Sequence, residues 1–248
     1  INSPFVNPGS SQFVIRFDST LVTALNSTVF GSGNNAMDIS PSAFLIDICG
    51  NIYISGWGKA LSGGVPALGM PITSDAFQST TVNPDFYLLV IERDFADTLY
   101  GTYIGGDQAG EHVDGGTSRF DKNGVVYQSV CGGCGGFSDF VTTPNAWSAT
   151  NDASNCNNLI FKFDFELIPN AEFTVDNNYG CRPFTVTFDN FSTSSDSYLW
   201  DFGNGDTTSI IFEPTIVFDS VGVFQVFLYA TDSICLITDS AEITITVY

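Results

Sequence analysis

Six cysteines and one histidine are the residues of this chain whose chemistry depends most on spacing. Cys131 and Cys134 form a C-x-x-C pair, while Cys49 and Cys156 stand alone. A tetrathiolate zinc site needs a second such pair, and a thioredoxin-type redox pair needs a βαβ setting. Structural disulfides are therefore favoured over a metal site, and no metal is predicted. Four cysteines allow three pairings, and the spacing does not choose among them.

The remaining two cysteines, Cys181 and Cys235, flank a series of short β-rich segments. A disulfide between them would enclose about 55 residues and add about 4 kcal/mol through loop entropy. Two buried thiols are the alternative. Six cysteines beside only three lysines indicate an oxidising, extracellular setting, so the Cys181–Cys235 disulfide is predicted.

The sole histidine lies between two carboxylates in the sequence Glu111-His112-Val113-Asp114. Such a group could act as a general base or as half of a metal site. No serine in a G-x-S-x-G turn is present to serve as its nucleophile. The favoured role is hydrogen bonding that anchors a loop, with a ligand or ion cluster as the alternative. No catalytic residue is predicted.

Calcium is the cation that best suits the many Asp and Asn residues in turns. Asp121-Lys-Asn123-Gly124 meets only half of the D-x-[DN]-x-[DN]-G pattern, and a tight hairpin turn explains it equally well. The 27 acidic residues would place some carboxylate pair at glycosidase spacing by chance alone. No cofactor is predicted, with calcium kept as the alternative.

The charge balance narrows the classes of partner. The 248 residues carry 27 acidic and 7 basic side chains, a formal charge of −20. Phosphate backbones and anionic membrane surfaces would be repelled, so neither nucleic acid nor a membrane is an expected partner. The longest strongly apolar run, Phe86 to Ile91, is far shorter than the ~20 residues of a membrane-spanning helix.

Short β-rich runs broken by Gly, Asn, Asp and Pro predict an all-β fold. Four sequence elements recur in one order with a period of about 73 residues. One element begins at Phe13 and again at Leu159, two periods later. The other three recur after about one period and begin at Asp47 and Asp121, at Thr73 and Thr143, and at Leu25 and Leu99. Each period holds about four strand candidates, the content of one long propeller blade. About two full blades with partial pieces are present, fewer than the roughly four to eight of a closed propeller.

The repeat stops near Leu167, and a short joint at Ile168-Pro169-Asn170 follows. Six or seven short strands in the remaining ~80 residues predict a β-sandwich. We therefore predict two domains, a propeller segment at residues 1–168 and an immunoglobulin-like sandwich at residues 169–248.

The first part resembles the propeller repeats called SBBP repeats. Their D-x-x-G-N-x-Y, T-x-x-A-F-Q and T-Y-x-G-G-like segments correspond here to Asp47–Tyr53, Thr73–Gln78 and Thr102–Gly106. The resemblance covers residues 12 to 167. It implies further blades, supplied by a longer parent chain or by partner subunits.

The second part resembles a PKD domain, whose Y-x-W-D-F-G-D-G pattern matches a segment that begins at Tyr198. Its key positions are Tyr198, Trp200, Asp201, Gly203 and Gly205. The resemblance implies that Trp200 lies in the core between the two sheets. Both parts together resemble segments of large surface proteins of Bacteroidetes-type bacteria, which implies type IX secretion and a link to gliding motility.

The predicted function is that of a non-enzymatic extracellular module at the bacterial surface, in structural display or adhesion. Surface glycans or cell-envelope proteins are the expected ligands. The alternatives are a glycan-binding accessory region of a secreted hydrolase and a subunit of a surface filament or secretion assembly. Trp57 and Trp147 are candidates for a stacking surface, but core positions are favoured for both, since Trp147 aligns with Phe77.

Overall fold

The structure is a computed structural model that describes residues 3–58, 66–113, 118–121 and 124–248. The chain divides into two compact units, Ile1–Phe165 and Glu166–Tyr248. The predicted domain boundary at Ile168 falls close to this division. No described helix has the length and apolar content to cross a membrane.

The described part of the first unit is built from antiparallel strands, with one 3-10 turn at Arg93–Phe95. Its strands are β1 (Gln12–Phe17), β2 (Ala24–Phe30), β3 (Ile39–Ile46), β4 (Ile52–Gly58), β5 (Phe86–Ile91), β6 (Thr98–Ile104), β7 (Ser118–Phe120), β8 (Val126–Gly132) and β9 (Asn157–Phe163). They form three sheets, β1-β2, β3-β4-β5-β6 and β7-β8-β9, in which consecutive strands are neighbours.

The strand positions repeat with a constant spacing. The same sequence interval separates the first residues of β1 and β5, of β2 and β6, and of β4 and β8. The β3-β4-β5-β6 sheet therefore holds all four strands of the repeated sheet. The β1-β2 sheet corresponds to its last two strands, and the β7-β8-β9 sheet corresponds to its first three. The four strands per period that the sequence predicts are present in β3–β6, whereas the described strands form no closed ring.

The central strand β5 is buried along its whole length, as its unbroken apolar sequence Phe-Tyr-Leu-Leu-Val-Ile predicts. Side chains alternate between the two faces of a strand. Leu89 and Ile91 pack into a core with Phe30 of the β1-β2 sheet. On the opposite face, the ring of Phe86 meets that of Phe161 of β9 edge-on, with centroids 5.6 Å apart. A strand covered on both faces needs no polar side.

The second unit is a two-sheet sandwich. Its strands are β10 (Phe173–Val175), β11 (Tyr179–Gly180), β12 (Phe184–Asn190), β13 (Ser197–Asp201), β14 (Thr207–Thr208), β15 (Thr215–Phe218), β16 (Gly222–Asp232) and β17 (Ile237–Val247). One sheet has the order β10-β12-β15 and the other the order β11-β17-β16-β13-β14. The all-β class and the immunoglobulin-like sandwich are thus confirmed.

Trp200 lies at the centre of the sandwich core, where the sequence predicts it. Its side chain is fully buried. The rings of Phe173 and Phe188 lie 5.0 and 5.4 Å from it, centroid to centroid. On the same strand, the Tyr198 hydroxyl donates a hydrogen bond of 2.9 Å to the Ser195 carbonyl oxygen.

The turn after β13 depends on its glycines. Gly203 and Gly205 adopt φ angles of +70° and +99°, which favour glycine. The Asp201 carboxylate accepts a 3.0 Å hydrogen bond from the Gly203 N–H. A Cβ atom on Gly203 would lie 2.5 Å from the Gln225 carbonyl oxygen, so the turn also needs the missing side chain for space.

The predicted disulfide between Cys181 and Cys235 is not formed. Cys181 follows Gly180, which pairs with Val247 at the end of β17, whereas Cys235 lies in the turn before β17 begins. β17 has 11 residues. At roughly 3.3 Å per residue it separates the two cysteines by about 30 Å, while a disulfide needs Cα atoms within about 7 Å. Cys181 is an exposed thiol.

The core prediction for Trp147 is also wrong, since its side chain is 104% exposed. Its counterpart Phe77 is 52% exposed, so the matched position belongs to the surface in both copies. Trp57 is half-buried, and its ring lies 5.7 Å from the ring of His112.

Candidate functional site

The loop that follows β6 carries Glu111 and His112 between two groups of reactive side chains. His112 pairs with Cys131 of β8, with N–H···O distances of 3.2 and 2.9 Å in the two directions. Because the chain is extended here, successive side chains point to opposite sides. Glu111 and His112 consequently belong to different clusters, contrary to the single predicted cluster. Asp114, its third predicted member, lies outside the described residues.

Asp85, Glu111 and Asp139 form the first group, called the carboxylate cluster below. Glu111 and Asp85 are 0% and 1% exposed, and Asp139 is half-buried. Both Glu111 carboxyl oxygens and one oxygen each of Asp85 and Asp139 are buried without a hydrogen-bond donor. Buried acceptors of this kind are costly unless a proton or a cation is shared among them.

A proton accounts for the pair formed by Glu111 and Asp85. Burial, followed by the negative charge of Asp85, raises the pKa of Glu111 from 4.5 to about 8. Burial also raises the pKa of Asp85, to about 6, against the lowering effect of the Thr81 hydroxyl at 2.6 Å. Glu111 therefore carries a proton at neutral pH and can share it with the ionised Asp85.

The three carboxylates are not among the described side-chain sets whose ligand atoms all lie within 4.8 Å of one another. Oxygens that bind one calcium ion at 2.3–2.6 Å lie within about 5 Å of one another, which is close to this 4.8 Å limit. The arrangement thus favours a shared proton over the calcium alternative at this position.

Two glycines make room for the carboxylate cluster. A Cβ atom on Gly105 would lie 2.2 Å from Asp85 Cγ, and one on Gly106 would lie 2.5 Å from an Asp139 carboxylate oxygen. Neither glycine has a positive φ angle, so space is the reason for glycine here. The Gly105 N–H also donates a 3.1 Å hydrogen bond to the Gln78 side chain, which fixes the loop beside Asp85.

Gly105→Ala should lower the free energy of unfolding of the first unit by about 1–3 kcal/mol, the usual cost of overpacking. The physical reason is the clash with Asp85, which urea unfolding of the variants would measure. If the clash is the cause, Asp85→Ala should restore part of the free energy of unfolding that Gly105→Ala removes. The Gly105→Ala/Asp85→Ala double variant should then be more stable than the sum of the two single effects predicts. Strict additivity would show that the strain lies elsewhere.

The carboxylate cluster is not required to build the repeated sheet. One period earlier, at the offset that relates β1 to β5, Ser11 and Met37 occupy the positions of Asp85 and Glu111. The earlier copy thus forms the equivalent strands without these acids. Of the two copies compared, only the later one has the buried carboxyl pair.

His112, Cys131, Cys134 and Cys156 form the second group, called the cysteine cluster below. Cys134 is bonded to Cys156, one of the bonds that the sequence leaves open. The prediction that Cys131 also forms a disulfide is wrong, because Cys131 remains a thiol, so none of the three complete pairings is formed. The thiol of Cys131 lies 4.0 Å from the Cys134 sulfur. An imidazole nitrogen of His112 and the sulfurs of Cys131 and Cys134 all lie within 4.8 Å of one another. Because a zinc ligand must be a thiolate, Cys134 is not a ligand while it is oxidised.

The C-x-x-C segment lies on a glycine turn after β8 and not at a helix start. Gly133, Gly135 and Gly136 have φ angles of +63°, +91° and +83°. The Gly133 carbonyl accepts hydrogen bonds from the Gly136 N–H at 3.0 Å and from the Asn151 side-chain amide at 2.8 Å. The turn is thereby fixed to the segment that leads to Cys156.

Sequence reasoning missed Asp85 and Asp139 because they are far from Glu111 along the chain. The adjacent glycines 105 and 106 were a usable signal, since paired glycines often mark a close approach of another group. The replacement of Ser11 and Met37 by acids one period later was a second signal.

A groove of about 880 Å³ lies beside β9, the strand at the edge of the β7-β8-β9 sheet. Trp147, Phe137 and Val141 line it, and all three are exposed. Ile160 of β9 is 76% exposed and lines the same groove. The first unit thus combines an accessible aromatic surface with a sheet edge to which no described strand is paired.

Comparison with known proteins bears on the second unit. Residues 170–245 match the family model of the PKD domain. The chain is 30% identical to the PKD1 domain of Vibrio anguillarum Epp, covering 32% of this chain and 93% of that domain, with a TM-score of 0.28. It is 32% identical to the PKD1 domain of the Vibrio cholerae metalloprotease PrtV, covering 32% and 96%, with a TM-score of 0.28. Among curated proteins there is no match.

Proposed function

Because residues 170–245 form a PKD domain, we propose that the chain is a non-catalytic extracellular module of a large secreted or surface protein of bacteria. In this proposal the sandwich is a spacer, and the repeated sheets of the first unit display the interacting surface. The related PKD1 domains of Vibrio proteins, one of them from a metalloprotease, support a role as an accessory module. The low content of basic residues and the cysteines support an extracellular location.

The open edge of β9 is the observation that carries the display function. In the complete sheet, β5 is followed by β6, and the two strands pair from Phe86↔Ile104 to Ile91↔Thr98. β9 occupies the position of β5 in the next sheet, and no described strand pairs with its outer side. An unpaired edge with apolar side chains is a template for another strand.

We therefore propose that β9 is completed by a β6-type strand from another repeat of the same family. The SBBP-like repeats of a longer parent chain, or of a second surface protein, would supply this strand. Such a junction would be adhesive, since each added strand brings a row of main-chain hydrogen bonds and a new apolar face. Type IX secretion and a link to gliding motility belong to the same proposal and rest on the sequence resemblance.

The burial of Glu111 supports the non-catalytic part of the proposal. A general acid must come within hydrogen-bond distance of the bond that it protonates. Glu111 has the raised pKa of such an acid, but its side chain is 0% exposed. Its proton stabilises a buried pair and does not face a substrate.

A labelled peptide with the sequence of β6, residues 98–104, should bind the chain, because it presents the type of strand that is proposed to complete β9. Fluorescence anisotropy would measure the affinity. Ile160→Lys places a charge on the edge strand and should weaken binding at least about tenfold. Ile210→Lys is the matched control, since Ile210 is 91% exposed in the other unit. Absence of binding, or equal binding by a scrambled peptide, would refute the strand-addition proposal.

A glycan-binding accessory region is the second candidate, and the fully exposed Trp147 favours it. An exposed indole ring can stack on the apolar face of a sugar. Saturable retention of the chain by a soluble oligosaccharide, with no binding of the β6 peptide, would favour this function over display through strand addition.

A further inference from the structure

We propose that the cysteine cluster is a thiol–disulfide exchange centre, in which Cys131 attacks the Cys134–Cys156 disulfide with His112 as the base. The proposal rests on one juxtaposition, a thiol that lies 4.0 Å from one sulfur of a disulfide. Two sulfur atoms in van der Waals contact are about this far apart, so the attacking and accepting atoms already touch. The co-reactants of such a centre are thiols and disulfides.

His112 supplies what the C-x-x-C segment lacks. Reactive cysteines of this type usually owe their thiolate to a helix N-terminus or to a neighbouring base. The segment here lies on a glycine turn, and no helix is described in it. Instead, His112 is held beside Cys131 by two backbone hydrogen bonds, with a ring nitrogen within 4.8 Å of both sulfurs. An imidazole at this place can accept the thiol proton as a general base.

The exchange conserves atoms and electrons. The Cys131 thiol gives its proton to the His112 imidazole, and the thiolate attacks the Cys134 sulfur. The Cys131–Cys134 bond forms while the Cys134–Cys156 bond breaks, and the electron pair stays on the Cys156 sulfur. The Cys156 thiolate takes a proton from water and the imidazolium releases one to water, so the proton count is unchanged. One thiol and one disulfide are present before and after, so neither an oxidant nor a reductant is consumed.

The surrounding structure keeps all three sulfurs together in both states. Cys131 pairs with Asn158 across the β8-β9 ladder, and Cys156 comes two residues before Asn158 on the same segment. The Asn151 side-chain amide bonds the carbonyls of Gly133 at 2.8 Å and Asn155 at 2.8 Å, linking the glycine turn to that segment. The leaving sulfur therefore remains close after the bond breaks, which makes the exchange reversible.

The consequence is a thiol that alternates between Cys131 and Cys156. In the first state the thiol lies beside His112, where it can react with an external disulfide. In the second state it lies on the segment that precedes the edge strand β9. The centre can thus form a mixed disulfide with a partner that carries a disulfide or a reactive thiol. This adds a covalent mode of attachment to the non-covalent display function proposed above, without depending on it.

Irreversible alkylation of the native chain tests the exchange. The chain would carry Cys181→Ser, so that this exposed thiol does not react. After incubation with iodoacetamide and an acid quench, cleavage at aspartates such as Asp139 and Asp152 separates Cys156 from the C-x-x-C segment. Mass spectrometry should find the label on Cys131 in some molecules. In other molecules the label should be on Cys156, and these molecules should contain a Cys131–Cys134 disulfide.

Cys131→Ser separates exchange from a disulfide that is merely incomplete. In this variant the label on Cys156 should disappear, because no thiol is left to displace it. His112→Ala should reduce Cys156 labelling about tenfold or more at pH 7. Labelling should recover near pH 9, above the ordinary thiol pKa of about 8.5. The proposal would be overturned if Cys156 were not labelled in the parent chain. It would also be overturned if Cys131→Ser left the labelling of Cys156 unchanged. A His112→Ala effect that is equal at both pH values would overturn the role of His112.

Discussion

Replacement of Trp200 by alanine should lower the free energy of unfolding of the second unit by about 3–5 kcal/mol, as expected for a large aromatic residue removed from a core. Trp200 is fully buried and contacts the rings of Phe173 and Phe188, so the substitution leaves a cavity between the two sheets. A loss of this size is a large part of the stability of a domain of about 80 residues. We expect the sandwich to unfold partly or wholly at ambient temperature.

Hydrogen exchange followed by mass spectrometry would measure the effect for each unit of the full chain. Peptides from β16 should lose protection in the Trp200→Ala variant, whereas peptides from β5 should keep it. Trp147→Ala is the matched control, since this side chain is 104% exposed and should change stability by less than about 0.5 kcal/mol. Retained protection of β16 in Trp200→Ala would show that the surrounding aromatic rings collapse into the cavity.

The second large effect concerns pH. The pKa of Glu111 is raised from 4.5 to about 8 in the folded chain, chiefly by burial, so the folded state binds more protons than the unfolded state between these values. The stability of the first unit should therefore be highest at low pH within this window. It should fall as the pH rises from about 4.5 to about 8 and level off above it. Asp85, with its pKa raised to about 6, acts in the same direction.

Glu111→Gln should remove most of this dependence, because the amide is neutral at every pH. At pH 8 the variant should be more stable than the parent chain by on the order of 1–2 kcal/mol, given about 1.4 kcal/mol for each unit of pKa shift. Urea midpoints of the first unit at several pH values would show it. Asp75→Asn removes the same charge from an exposed position outside the carboxylate cluster and should leave the slope unchanged. A Glu111→Gln variant with the parental slope would contradict the buried-proton assignment.

The sequence predicted the strands and their period well, because both depend on local patterns. Alternation and turn residues define a strand within a few positions, and a repeated element reports itself by comparison with its copy. β4 and β8 illustrate this, since their first residues, Ile52 and Val126, are separated by the same interval as Gln12 of β1 and Phe86 of β5.

The candidate site was predicted less well, because it depends on contacts between distant segments. Glu111 and His112 are neighbours in sequence, yet the extended backbone sends them to Asp85 on one side and to Cys131 on the other. Cys181 and Cys235 flank the same strands but lie at opposite ends of β17, a distance that the order of residues does not reveal. Pairing of side chains across a sheet needs the register, which local patterns do not contain.

The offset between sequence period and sheet boundary has a consequence for how such a chain can vary in length. One period, from β1 through β4, contributes the last two strands of one sheet and the first two of the next. A duplication or deletion of one whole period therefore joins each half-sheet to an equivalent half-sheet, with every hairpin partner preserved. Insertions or deletions of whole periods can therefore lengthen or shorten the array while every hairpin keeps both of its strands. An insertion or deletion of any other length would change the strand pairing in both sheets next to it.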